Sequence, residues 1–275
     1  MINTLDFKNI TSDKVIFIGD IHGEFDSLLW VIKQKSDYFR DKILIVLGDC
    51  GIGFYKEQYY LDLFEKMNVS CNAINTTIIM FRGNHDDPSY FDGTHLCYSN
   101  IKVIPDYSVI ETAEKNILCI GGGLSIDRIP RQKKEYKLNK FKTGEYQQKL
   151  YWENELPVYD EDKLNEIRDN NIIIDVMATH TAPSFFPYND TSGLTYFLSV
   201  DDKLKDDLIT ERRIMDNIYD YVATFLETRY WFYGHFHSYA QGKHEHVIYQ
   251  MMPNIDEMKS YYKSLEELIE ENTIL

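Results

Sequence analysis

The sequence predicts an α/β protein with buried, at least partly parallel strands, and three observations carry that prediction. Short apolar runs rich in β-branched residues recur along the chain. Each ends in a Gly-rich or polar turn, and patterns of helical period separate the early ones.

The first run, Val15-Ile16-Phe17-Ile18, leads into Gly19-Asp20, and Phe25 to Lys35 then reads as a helix. Ile43 to Leu47 leads into Gly48-Asp49, with a helix expected from Tyr55 to Met67. Thr77 to Phe81 leads into Arg82-Gly83-Asn84-His85. The runs Lys102–Ile104, Tyr107–Glu111 and Asn116–Ile120 lie too close together for crossover helices, so antiparallel hairpins are expected there. A polar stretch, Gly121 to Asp160, interrupts the pattern. A helix at Asp162–Asp169 precedes a buried-type strand, Ile172 to Ala178, that ends at Thr179-His180. Asp201 to Glu227 reads as largely helical, and Tyr230 to Tyr233 as a strand ending at Gly234-His235. Val247 to Met251 is expected beside that strand, and Asp256 to Glu271 as an acidic terminal helix.

At 275 residues, 44% hydrophobic and 27% charged, the chain is an ordinary globular sequence able to bury a core. No apolar run is long enough to cross a bilayer, and Met1 to Asp13 lacks the basic start and apolar stretch of a secretory signal, so a cytoplasmic protein is expected. Cys50, Cys71, Cys97 and Cys119 form no Cys-x-x-Cys pair, which argues against a zinc knuckle or redox motif and leaves them as small buried residues. A net charge of −15 disfavours a nucleic-acid substrate. Between Arg128 and Lys142, however, seven basic residues face the single acid Glu135. That segment reads as a solvated insertion, or as a cap offering cations to an anionic substrate.

Potential metal ligands fall at the ends of the predicted strands: Asp20 and His22, Asp49, Asn84 (with His85 beside it), His180, and His235 with His237, seven in all without His85. In open α/β sheets the crevice outside the carboxyl ends of strands is where sites form. Seven nitrogen and oxygen ligands exceed what one ion takes, whereas two ions sharing a carboxylate would use them. Imidazole with carboxylate suits first-row ions such as Mn, Fe, Zn, Co or Ni. Such a pair can clamp the attacking and leaving oxygens of a phosphoryl displacement. Singly, each residue has a dull explanation, as a helix cap or a satisfied core histidine. The ordered set shifts the balance.

Gly19-Asp20-Ile21-His22-Gly23, Gly48-Asp49, Gly83-Asn84-His85-Asp86, Thr179-His180 and Gly234-His235-Phe236-His237 together resemble the five motifs of the calcineurin-like metallophosphoesterases, in the family's order. The resemblance implies two packed mixed β-sheets flanked by helices, a four-layer α-β-β-α sandwich. On that pattern the whole chain, 1–275, is one domain with a basic cap at about 123–160 and an acidic helix at about 255–275. The resemblance further implies that Asp20, His22 and His237 bind one metal and Asn84, His180 and His235 the other, with Asp49 bridging. His85 would stabilise the transition state or protonate the leaving oxygen, and a metal-bridging hydroxide would be the nucleophile. Two divalent ions are expected, manganese first, with iron, zinc or nickel as alternatives. Gly19, Gly48, Gly83 and Gly234 each precede a ligand, where a missing side chain permits sharp turns and close approach of the backbone to metal.

The second block, Gly48-Asp49-Cys50-Gly51-Ile52-Gly53, lacks the G-D-x-x-D-R-G extension of protein Ser/Thr phosphatases, so the Asp that orients the histidine and the phosphate-binding Arg are missing. Arg82 is expected to brace the loop. Gly121-Gly122-Gly123-Leu124-Ser125-Ile126-Asp127-Arg128, Tyr151-Trp152-Glu153-Asn154-Glu155 and Thr179-His180-Thr181-Ala182-Pro183 resemble a small, mostly bacterial or phage-borne subgroup. Arg128 and Arg131 are the candidates to reach a substrate phosphate. His95, His244 and His246 fall outside every motif, and the last two are expected to share a strand face. The expected activity is hydrolysis of a phosphomonoester or phosphodiester, on a phosphorylated small molecule or nucleotide. A nuclease, a cyclic-nucleotide phosphodiesterase and a non-catalytic binding platform are the alternatives. Oligomeric state leaves no mark in these motifs.

Overall fold

A computed structural model describes residues 2–142, 146–188, 193–255 and 262–273. Its strands are β1 (Thr4–Phe7), β2 (Val15–Ile18), β3 (Ile43–Val46), β4 (Thr77–Met80), β5 (Ile101–Val103), β6 (Ser108–Thr112), β7 (Asn116–Ile120), β8 (Val176–Thr179), β9 (Tyr230–Tyr233), β10 (Ala240–His244) and β11 (Val247–Met251). The helices are α1 (Phe25–Gln34), α2 (Ser36–Phe39), α3 (Glu57–Asn72), α4 (Arg128–Asn139), α5 (Glu161–Asp169), α6 (Leu194–Val200), α7 (Leu204–Phe225) and α8 (Leu265–Thr273). One sheet runs β2-β3-β4-β5, and the other runs β1-β6-β7-β8-β9-β11-β10.

Alternation along the strands builds the layers. Val15, Phe17, Ile43, Ile45 and Ile79 face the second sheet, meeting Ile117, Cys119, Val176, Ala178 and Phe232. Phe17 stacks on Phe232 with ring centroids 4.5 Å apart. The intervening residues Ile16, Ile18, Leu44, Val46 and Met80 point the other way, onto Phe25, Leu28 and Ile32 of α1 and Tyr60, Phe64 and Met67 of α3. On the far side Leu118, Met177, Trp231 and Tyr233 pack against Leu164 and Ile167 of α5 and Met215, Ile218 and Val222 of α7. Three buried apolar seams between four layers are what the α-β-β-α reading requires.

Several elements depart from the sequence reading. The smaller sheet is wholly parallel, not mixed; the larger sheet is mixed, with antiparallel pairs at β6–β7 and β10–β11. β5 forms no hairpin with β6, because the two strands lie in different sheets. Between them Pro105 offers no N–H for a ladder and Tyr107 takes φ 65°, so the chain leaves one sheet and enters the other. β6 and β7 do form the expected hairpin. β8 begins only at Val176; just before it, the Asp175 carboxylate accepts the Asn116 N–H (2.9 Å). The polar stretch after Gly121 contains α4, where a low apolar content hides the helix from a sequence reading. β1, only four residues long, carries no such signal either; it pairs parallel with β6. His244 ends β10, whereas His246 lies in the turn that follows, so they share no strand face. Of the expected terminal helix, residues 256–261 lie outside the described residues. α8 is capped by Ser264 and Glu267, whose side chains accept one another's backbone N–H groups (3.3 and 2.7 Å).

Because β2, β3 and β4 run parallel, as do β8 and β9, their carboxyl ends open at one edge of the sandwich. No helix among the described residues is long and apolar enough to cross a membrane.

Candidate metal centre

The loops that leave those strand ends carry every candidate ligand. Asp49, following β3, is central. Its Oδ1 lies 3.2 Å from His180 Nε2 and accepts the His85 backbone N–H at 2.7 Å, while its Oδ2 lies 3.7 Å from His22 Nδ1. Asp20 Oδ2 lies 2.9 Å from His237 Nε2 and 3.7 Å from His22 Nε2, and its Oδ1 accepts the His235 N–H at 2.9 Å. Three sets of donor atoms, each within 4.8 Å of one another, could hold a cation: Asp20 with His22 and His237, His22 with Asp49 and His85, and Asp49 with His180 and His235. Asn84 joins the last set through Oδ1, 2.9 Å from His180 Nε2. The structure brings all seven predicted ligands together, and His85 with them.

The donor chemistry fits divalent cations. His180 Nδ1 donates to the Leu47 carbonyl (2.7 Å), which fixes its tautomer and aims the Nε2 lone pair inward. The Asn84 amide is equally fixed, because Nδ2 donates to Ser125 Oγ (2.9 Å), so its oxygen faces that same Nε2. Three acceptors, on His180, Asn84 and Asp49, therefore converge, and only a proton or a cation can sit among them. Without metal a proton serves. Burial pushes the His180 imidazole down, but the Asp49 and Asp20 carboxylates outweigh burial and raise it to about 9. Asp49 answers in kind: burial pushes it up, yet His85, His180 and His22 hold it well below the carboxylate range. Burial, reinforced by His180, drives His235 down to about 3, leaving it a neutral donor. Across the cluster His22 Nε2 and His237 Nε2 face one another at 2.9 Å, again with room for one proton at most.

Strain marks the same place. His22, Asp49, His235 and His237 all have positive φ, 45°, 46°, 70° and 46°, a region that non-glycine residues rarely enter. The glycines permit contact between ligands. At Gly48 (φ +85°) a Cβ would lie 2.5 Å from His180 Nδ1, and at Gly83 it would run into Asp49 Oδ1 and N. At Gly48 and Gly83 the missing side chain admits packing against the ligand side chains of His180 and Asp49.

Acids with no role assigned from sequence hold the loops. Asp86 is buried and accepts four backbone N–H groups, from Cys50, Gly51, Ile52 and Gly83, at 2.7–2.9 Å. It ties the Asp49 loop to the Asn84 loop. Buried Glu155 accepts Ser125 N–H (2.8 Å) and Oγ–H (2.7 Å), and so fixes the Asn84 amide through the serine. Burial pushes Glu155 up to about 8. A buried acid reads in sequence like any surface acid; the only local signal is its setting in the aromatic Tyr151-Trp152 run. Arg82 does brace the loop, through Asp106 (2.7 Å) and the carbonyls of Asn154, Glu155 and Leu156.

Beside the cluster lies a cavity of about 330 Å³, walled on one side by Asp49, Asn84, His85, His235 and His237. Arg131, from α4, enters it. Its Nη2 reaches both ring nitrogens of His85 and its Nε donates to Asp127 Oδ1 (2.7 Å). Burial lowers His85 to about 4 against the pull of Asp49, and the Arg131 charge adds to the lowering. A neutral ring accepting from a guanidinium is the consistent state. Arg128 is not available for substrate. Its guanidinium is held by Asp201 (2.5 Å) and Asp207 (2.6 Å) and lies outside the cavity wall, a correction the residue type alone could not supply. Of the described cations of the basic segment only Arg131 lines the cavity, while Lys133, Lys134, Lys137 and Lys140 are exposed. His95 pairs with Glu57 (2.5 Å), and His244 stacks on Phe185.

Residues 13–239 match the sequence model of the calcineurin-like phosphoesterases, well over half of the chain. The chain belongs to the calcineurin-like phosphoesterase family. Members are metal-dependent phosphoester hydrolases that generally hold two divalent metals, and the donor clusters of this phosphoesterase accord with that. No curated protein matches it in sequence. Among solved structures it is similar to the Thermus thermophilus protein TT1561, with TM-score 0.51 and 10% identity over 91% of this chain and 98% of that one. It is also similar to a dimetal phosphatase from Danio rerio, with TM-score 0.50 and 9% identity over 88% and 87% of the two chains. At these identities the likeness is one of fold.

Proposed function

We propose that this phosphoesterase hydrolyses a phosphomonoester or phosphodiester of a small molecule or nucleotide at a two-metal centre. Asp20, His22 and His237 would hold one cation, Asn84, His180 and His235 the other, with Asp49 between them. The observation that carries the reading is Asp49, whose two oxygens face separate imidazole groups, His180 on one side and His22 on the other. The imidazole and carboxylate donors favour first-row ions; manganese is taken first, with iron, zinc or nickel as alternatives. Bound there, such ions supply Lewis acidity to phosphoryl oxygens and acidify water.

The chain's own groups do the rest. His85 sits in the cavity wall beside the cluster, placed to hydrogen-bond a phosphoryl or leaving oxygen. Arg131 holds the His85 ring and offers a cation to the phosphoryl group. An anionic ester entering the cavity raises the His85 pKa toward the range where it can donate a proton.

The test is Asp49→Asn, with bound metal measured by elemental analysis and turnover measured on an aryl phosphate. Loss of metal and of turnover together is expected. Full metal content with unchanged turnover would end the assignment.

A further inference from the structure

We infer that the cavity beside the ligand cluster is a subsite for the alcohol part of the substrate, and that it selects small esters carrying one phosphate and an aromatic ring. This rests on the two-metal reading above and adds the substrate class to it.

The cavity has two unlike walls. One carries the ligands and His85. The other is apolar: Leu124 and Ile126 before α4, Leu194 and Phe197 of α6, Leu208 of α7, and Phe236. Ile126, Leu194, Phe197 and Leu208 remain partly exposed there. Apolar side chains left facing a polar site from three separate segments are a surface that gains from being covered. At about 330 Å³ the space is at the small end for a ligand site, enough for one ring system and a phosphate.

Charge points the same way. Asp127 and Glu211 line the cavity, and buried Glu211 accepts the Leu124 N–H (2.9 Å), so a second phosphate on that side would meet carboxylates. The other cation there, Arg212, is engaged. Its Nη1 donates to the Ala182 carbonyl (2.6 Å), and its guanidinium lies 5.0 Å from the ring centroids of both Tyr188 and Phe236. A polymer backbone needs a row of free cations. The exposed lysines of α4 lie outside this cavity.

The experiment is calorimetric titration of the manganese-loaded protein with phenylphosphonate and with methylphosphonate, neither of which is hydrolysed. The same titrations are run on Phe197→Ala and Leu208→Ala, with phenyl phosphate and methyl phosphate turnover measured in parallel. Burying the ring should make phenylphosphonate bind about tenfold tighter or more. That ratio should fall toward one in either variant; both positions are only partly buried, so a folding failure of one leaves the other to decide. Equal affinities in the wild type, or a ratio unchanged in both variants, overturns the subsite. If turnover of both esters persists without aryl preference, the subsite fails and the two-metal reading stands. If neither phosphonate binds and no ester is hydrolysed, both fall.

Discussion

Replacing Asp86 by Asn tests what holds the ligand loops in register. Oδ1 of Asp86 accepts the N–H groups of Gly51 (2.8 Å) and Ile52 (2.9 Å), and Oδ2 accepts those of Cys50 (2.9 Å) and Gly83 (2.7 Å). An amide retains one acceptor. Whichever way it flips, its NH2 group faces two backbone donors, so two buried N–H groups lose their partner. Each such loss costs about 1–3 kcal/mol. Part of this is offset, because burial and the neighbouring Asp49 push the Asp86 carboxyl up to about 7, and the neutral amide relieves both. A net destabilisation of about 2–4 kcal/mol is expected, which for a domain of this size lowers Tm by roughly 5–10 °C. Urea unfolding at pH 8.5, where the carboxyl is ionised, is the assay, run on chelated protein so that metal binding does not contribute. A change below about 0.5 kcal/mol would show that the four contacts contribute nothing net. The loop-tying role would then be wrong.

Two other outcomes follow from the buried network. Above about pH 8, where Glu155 is ionised, Glu155→Gln leaves one acceptor for the two Ser125 donors and so frees the Asn84 amide to turn; metal affinity at about pH 9, read by competition with a chelating dye, should weaken about tenfold or more, and an affinity within about twofold of wild type would refute the link. In chelated protein, His180 is raised to about 9 from 6.5, so the stability it contributes is present below 6.5 and lost as pH rises through 9. Glu155, raised to about 8 from 4.5, acts with the same sign, because the folded chain holds its proton over that window. Tm of the chelated protein should therefore fall between about pH 6.5 and 9.5, and a flat or rising Tm would contradict the assigned proton. Metal-loaded protein should lack the His180 part of that fall, since a cation takes the proton's place.

How much was legible in the sequence differs element by element. The helices α1, α3, α5 and α7 were readable because each buries one stripe at helical spacing, as Phe25, Leu28 and Ile32 do in α1. Strands β2, β3, β4 and β9 were readable because both faces are buried, which demands unbroken apolar runs. α4 has no buried residue and left no periodic mark. The partner of β5 is not legible in the sequence because pairing is a long-range choice: three residues between Asn100 and Ile104 fit either sheet, and the turn at Pro105 and Tyr107 decides it.

By itself the sequence determined which residues could ligate metal, since their identities and their position after apolar runs are local properties. It determined the order of the motifs and, from composition, an acidic chain without a membrane-crossing helix among the described residues. Only the tertiary structure decided that Asp49 stands between two imidazole groups, that Arg131 reaches His85 while Arg128 is held by Asp201 and Asp207, and that Asp86 and Glu155 are internal acceptors. The physical reason is that a side chain's chemistry travels with its residue. Its burial, its partners and its charge state belong to neighbours brought from far along the chain, and no local window contains them.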